Sequence, residues 1–148
     1  MPYKTISDIM IRDVISCTEK DSLDVPNRLM AEHSIRHIPV ISSENGDFLG
    51  VITQKHLLKE AFQQAKLFGS VDMWTFGRGV TVKSAYSKDV ETVQPELPLS
   101  EAGKYFLETK YGCLPVVEQG KLIGLVTSVD FVRIAVELLT EQEKEDKK

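Results

Sequence analysis

Arg36 to Thr53 reads RHIPVISSENGDFLGVIT, and Gly112 to Thr127 reads GCLPVVEQGKLIGLVT. Both contain an apolar–Pro–Val run, a turn with glycine at its tip, and a glycine followed by two apolar residues and a threonine. A phrase spelled twice within 148 residues is an internal duplication, and duplication sets the architecture. Outward from it, Ile6 falls on Val82, Asp13-Val14 on Asp89-Val90, Leu23 on Leu99 and Pro39-Val40 on Pro115-Val116. Beyond the turn the register slips by two residues, bringing Gly50 onto Gly124 and Thr53 onto Thr127. The slip lies in hairpins that turn at Asn45-Gly46 and Gln119-Gly120, where glycine supplies the positive φ of a tight turn. A surface turn absorbs an insertion without moving its strands.

Each half then has one order of elements. A short β segment around Asp13-Val14-Ile15, or Asp89-Val90-Glu91, leads to a helix. Leu99, Ala102, Phe106 and Leu107 recur on one helical face, and Leu23, Pro26, Met30 and Ala31 take the same places in the first half. Pro26 is tolerated in a first turn, where backbone N–H groups lack helical partners anyway. The hairpin follows, with Ile38–Ile41 and Phe48–Ile52 as buried strands, and a second helix starts near Thr53 or Thr127. The expected fold is α+β: two pseudo-symmetric β-α-β-β-α repeats packed through their sheets. Repeat 1 spans 1–66, a connecting segment 67–80, repeat 2 81–140, and a polar tail 141–148. The tail, TEQEKEDKK from Thr140, reads as a fraying helix end or solvated segment. The connecting segment holds Phe68, Met73, Trp74 and Phe76, too aromatic for a solvated linker. These side chains either cap the base of a neighbouring helix or serve a subunit contact.

Composition narrows the function classes. No run approaches the roughly 20 apolar residues of a membrane span, and Met1–Met10 has no apolar stretch of signal-peptide length. Two cysteines without a secretory signal point to a reducing cytoplasm. A net charge of -4 disfavours a nucleic-acid partner, which usually needs a basic face.

The ordered motifs Ile38-Pro39-Val40 with GVITQKH (Gly50–His56), and Leu114-Pro115-Val116 with GLVTSVD (Gly124–Asp130), resemble a tandem pair of CBS domains, or Bateman module, in stand-alone form. The likeness covers Ile6 to about Leu139. It implies regulatory binding of an adenosine compound: AMP, ADP or ATP, with S-adenosylmethionine or a dinucleotide such as NAD in some members. It also implies a homodimer, and two clefts that each draw on both repeats. The first would combine Thr127 and Asp130 with Val14, Ile15, Ile35, Arg36, His37, Ile38 and Pro39. The second, weaker one would combine Thr53 and His56 with Val90, Tyr111, Gly112, Cys113, Leu114 and Pro115.

The residue chemistry fits such a ligand. An ionised Asp130 offers only acceptors, so it suits the two hydroxyls of a ribose. Thr127 opens a helix whose free N–H groups and dipole favour phosphate. The strand entry Ile35–Pro39 offers an apolar slot for adenine, with Arg36 and His37 beside it for phosphates. Thr-x-x-Asp is also a capping-box arrangement, and capping and ligand contact are compatible. His56 replaces the acid in the first repeat, and neutral imidazole has a single acceptor nitrogen, so the two clefts should differ. His56 either faces phosphate or stands exposed in the first helical turn, the commoner fate.

Other classes have less behind them. His33, His37, His56, Cys17 and Cys113 show no strong metal-ligand or Cys–His spacing, and Gly77-Arg78-Gly79 reads as a turn. The expectation is therefore no enzyme, no metal and no nucleic acid. The rival is a ligand-independent homodimeric scaffold, joined through helix faces near Leu57, Leu58, Phe131, Ile134 and Leu138.

Overall fold

The computed structural model describes residues 3–69 and 79–148. The expected roles of Met73, Trp74 and Phe76 lie outside the described residues, as does that of the Phe68 side chain. The elements run β1 (Cys17–Thr18), α1 (Asp24–His33), β2 (His37–Ile41), β3 (Phe48–Thr53), α2 (Gln54–Phe68), α3 (Leu99–Glu108), β4 (Cys113–Glu118), β5 (Lys121–Thr127) and α4 (Ser128–Asp146). Short 3-10 turns at Ile6–Asp8 and Val82–Ser84 lie at the start of each repeat. The mixed helix–strand repeat read from the sequence is the fold observed.

The chain forms two compact units. One comprises Asp13–Glu91 and Gln119–Leu122, the other Met1–Arg12, Thr92–Glu118 and Ile123–Lys148. In the first, β1 runs parallel to β2, with Cys17 opposite Val40, and β2 pairs antiparallel with β3, with His37 opposite Thr53. Its core joins Cys17, Leu23, Met30, Ile38, Val40, Ile52 and Leu57 to Val82, which the sequence assigns to the second repeat. Val82 is held there because its N–H donates to Asp21 O at 2.8 Å, while Ser87 bridges Val51. The second unit makes the reciprocal exchange. Ile6 is buried with Met10, Ala102, Leu114, Val116 and Val126, its N–H donates to Leu97 O at 3.0 Å, and Ile11 bridges Leu125.

This exchange explains the glycine in each repeated phrase. A Cβ on Gly50 would stand 2.1 Å from Ser87 O, and one on Gly124 would stand 2.6 Å from Met10 Sδ. Side-chain-free backbone lets the imported segment lie against the strand. The second hairpin turns at Gln119 and Gly120, both at positive φ, as a two-residue turn with the twist of its strands requires. The first, with Gly46 at φ 77°, is longer and closes by Gly46 N–H to Ser42 O at 2.9 Å. Its tip is clasped by Lys121, whose ammonium lies 2.7 Å from Asp47.

Two expectations shift. The parallel ladder begins at Cys17–Thr18, with a single Val93–Val116 bridge as its counterpart, not at Asp13–Ile15 and Asp89–Glu91. Val14, Ile15 and Val90 are half-buried in irregular chain ahead of it, because the ladder partner of the early segment in repeat 1 is Val40-Ile41. Leu107 and Ala31 are exposed. Each helix turns the preceding residue inward instead: Met30 enters the core, and Phe106 packs edge-on against Phe131 with centroids 5.6 Å apart. Of the two readings of the polar tail, the helix end is the one observed, since α4 continues to Asp146 with 141–148 exposed.

Candidate functional site

Each repeated phrase delivers its threonine to the point where a strand becomes a helix. Thr127 ends β5 in extended backbone and Ser128 begins α4; Thr53 and Gln54 do the same for β3 and α2. A helix start leaves backbone N–H groups without helical partners, so a side-chain acceptor three residues on is favoured.

In the second repeat that acceptor is Asp130, only 5% exposed. Its Oδ2 accepts the Thr127 N–H at 2.8 Å and the Thr127 hydroxyl at 3.3 Å. Its Oδ1 accepts from Arg133 at 3.2 Å, one turn along α4 and largely in solvent. A carboxylate has about four acceptor positions. The cap uses Oδ2, so Oδ1, which accepts from Arg133, is the oxygen with lone-pair capacity for a further donor. The Ser128 N–H donates to Gly112 O at 3.1 Å, which fixes Gly112 and Cys113 beside the same helix start.

In the first repeat the acceptor is His56. Its Nδ1 lies 3.0 Å from the Thr53 N–H, so the ring turns back onto the cap and is half-buried, where solvent exposure had been expected. Accepting that proton requires neutral imidazole at Nδ1. Burial first, and Lys59 second, hold the His56 pKa below its ordinary value. His56 therefore takes over the capping task of the aspartate and spends its one acceptor doing so. The Gln54 N–H donates to Arg36 O at 2.9 Å, and His37 lies opposite Thr53 across the β2–β3 pair, so Arg36, His37, Thr53 and His56 gather in one unit. Burial, then Arg36, also lowers the His37 pKa.

The remaining candidates divide by exposure. Arg36 and Tyr111 are exposed, while Ile35, His37 and Gly112 are half-buried. Ile38, Pro39, Leu114 and Pro115 are fully buried, leaving mainly backbone to offer a ligand. Burial, with Asp21 second, raises the Cys17 thiol to about 12, and burial alone raises Cys113 to about 12. Both remain protonated at neutral pH and make poor nucleophiles. Among the described residues no cluster of three or more His, Cys, Asp or Glu is placed to hold a metal, and no helix is long and apolar enough to cross a membrane. Sequence reasoning passed over Arg133 as a partner of Asp130. The signal was present, since residues three apart on a helix are neighbours.

Comparison with known proteins shows the family of the chain. The CBS domain family model matches residues 6–62 and 82–137. A Vibrio cholerae protein assigned to acetoin utilization (AcuB) superposes with TM-score 0.78 at 30% identity, covering 96% of this chain and 97% of that one. The structure of CBSX2 in complex with AMP superposes with TM-score 0.74 at 29% identity, covering 92% and 98%. A homoserine O-acetyltransferase of Methanohalobium evestigatum is 30% identical over 143 residues, 93% of this chain and 25% of that protein. An inosine-5'-monophosphate dehydrogenase of Korarchaeum cryptofilum is 36% identical over 129 residues, 86% and 23%. The chain thus spans about a quarter of the length of these two enzymes. It belongs to the CBS domain family and carries two of its domains in tandem.

Proposed function

We propose that the chain is a non-catalytic, cytoplasmic regulatory module that binds an adenosine-containing ligand and signals to a partner protein by conformational change. AMP, ADP and ATP are the first candidates, followed by S-adenosylmethionine and NAD. The observation that carries the reading is the likeness, over nearly the whole chain, to a structure in complex with AMP. On this reading Asp130 Oδ1 receives ribose hydroxyl protons and the start of α4 at Thr127 receives phosphate. Val14, Ile15 and the backbone of Ile35–Pro39 hold adenine, with Arg36 and His37 near the phosphates. The site containing Thr53, His56, Val90 and Tyr111–Pro115 is the weaker one, because the acceptor of His56 is committed to its own helix. The module self-associates through the outward faces of α2 and α4. A ligand shifts the module between arrangements only by its differential affinity for them.

The engagement of Asp130 in its own cap favours a second reading, a dimeric scaffold that needs no ligand. Thermal unfolding of the ligand-stripped chain with each of the five compounds separates the two. A ligand at 100 times its Kd adds about 2.7 kcal/mol, a shift of several degrees at this size. A shift with at least one compound supports the sensor, and none with any of them supports the scaffold.

A further inference from the structure

We infer that Asn45 is a self-modification site: its side chain condenses with the Gly46 nitrogen, and Lys121 activates the step. Asn45 is exposed at the tip of the first hairpin. An added Cβ on Gly46 would meet nothing within 4 Å, so there is room for a ring to form. Asn45 Oδ1 accepts the Asp47 N–H at 3.0 Å, an Asx turn that draws electrons away from Cγ. Lys121 acts on the other reactant. Its ammonium donates to the main-chain oxygen of Asn45, the carbonyl of the peptide that contains the Gly46 nitrogen. When that nitrogen gives up its proton, negative charge spreads onto this oxygen, and a preplaced cation stabilises it. Lys121 is kept there by its ion pair with Asp47 at 2.7 Å and by the Asp47–Lys121 bridge. Next to them Phe48 N–H donates to Gly120 O at 2.8 Å. One hydrogen bond opposes the step, since the Gly46 N–H donates to Ser42 O at 2.9 Å and must first open.

The reaction consumes only water. Solvent takes the Gly46 proton, the nitrogen bonds to Asn45 Cγ, and the Cγ–Nδ2 bond breaks to release ammonia. Water then opens the five-membered ring. Cleavage at Cγ leaves an ordinary aspartate, while cleavage at the main-chain carbonyl carries the chain through Cγ as a β-aspartyl link. Either product adds a carboxylate to a turn that already holds Glu44 and Asp47. The β-link also adds a carbon to a turn closed by Ser42 N–H on Asp47 O at 2.8 Å, so that closure cannot persist unchanged. The second repeat turns at Gln119-Gly120, where the same attack needs a less favourable six-membered ring. The mark therefore falls on one repeat only.

Incubation of the full chain at neutral pH in heavy-oxygen water, followed by peptide mapping, tests this. Label should enter at position 45 and not at 119, and an isoaspartyl methyltransferase should methylate the same peptide. Lys121→Gln removes the cation and Lys121→Arg keeps it. Lys121 is half exposed, so neither substitution reaches the core, and circular dichroism checks that both variants fold. Lys121→Gln should slow the conversion about three- to tenfold, less than the loss of a buried oxyanion donor because solvent shares the task. Lys121→Arg should restore it. No conversion at Asn45 in the wild type overturns the inference. So does an equal or faster rate in folded Lys121→Gln, which would make Lys121 a clamp that protects the turn.

Discussion

At the scale of single residues, the two copies solve one capping problem with different chemistry, and on the proposed reading that difference separates their roles. Asp130 has an oxygen beyond what its helix needs, whereas His56 has none. Asp130→Asn keeps an amide oxygen for the Thr127 N–H but loses the second acceptor. It should unfold within about 0.5 kcal/mol of wild type, while Asp130→Ala should cost about 1 kcal/mol through the lost cap. Both should abolish adenosine-ligand binding, read by calorimetric titration beside urea unfolding. A variant that loses stability but binds normally would leave Asp130 a capping residue only. In the other direction, His56→Asp keeps the α2 cap and adds an acceptor oxygen, so it should raise the ligand stoichiometry from one to two per chain. Protonation tests the same hydrogen bond. The pKa of His56 is lower in the folded chain than the ordinary 6.5, so its contribution is present above that value and lost as pH falls through the folded pKa. His37 is lowered too and acts with the same sign. The melting temperature should therefore drop as pH is taken from 7.5 to 5, and less steeply in His56→Asn. Equal slopes would mean that His56 does not cap through neutral Nδ1.

At the scale of elements, the exchanged entry turns make the strongest demand on sequence. Gly50 faces a backbone carbonyl, while the nearest neighbour of Gly124 is the flexible end of Met10. Gly50→Ala must break the Val51–Ser87 bridge or move the strand, and should cost about 3 kcal/mol, the upper range for overpacking. Gly124→Ala should cost less, about 1–2 kcal/mol, since the thioether can turn aside. Urea midpoints of the two variants give the comparison, and equal losses would contradict the assigned contacts. These glycines were legible as a repeat but not as close approaches, because residue spacing records order along the chain and not which copy a segment packs against. The hairpins were legible because Asn-Gly and Gln-Gly announce positive φ. The helix starts were legible because Thr-x-x-Asp is a local signal. The early strand was misplaced toward Asp13–Ile15 because a run of β-branched residues looks like a strand wherever it lies, whereas the ladder partner decides. Leu107 was placed inside because a periodicity of seven or eight residues does not distinguish two adjacent helical positions; Phe106 took the inward one.

At the scale of the whole molecule, duplication has a physical purpose in this chain. Neither unit is completed by its own repeat alone, since the core containing Leu23 needs Val82 and the core containing Leu114 needs Ile6. A chain cut within 70–78 should therefore yield two fragments that are unstable apart and regain structure when mixed, seen by circular dichroism. Independent folding of both fragments would show the imported turns to be dispensable. The copies also differ at the helix start, His56 standing where the other has Asp130, and on the proposed reading this leaves one competent ribose acceptor where strict symmetry would offer two. Calorimetric titration of ligand-stripped wild-type chain with AMP, repeated on Asp130→Asn, addresses that asymmetry first. One AMP per chain, lost in the variant, is the expected result. Two equivalent sites, or binding that survives in Asp130→Asn, would contradict it.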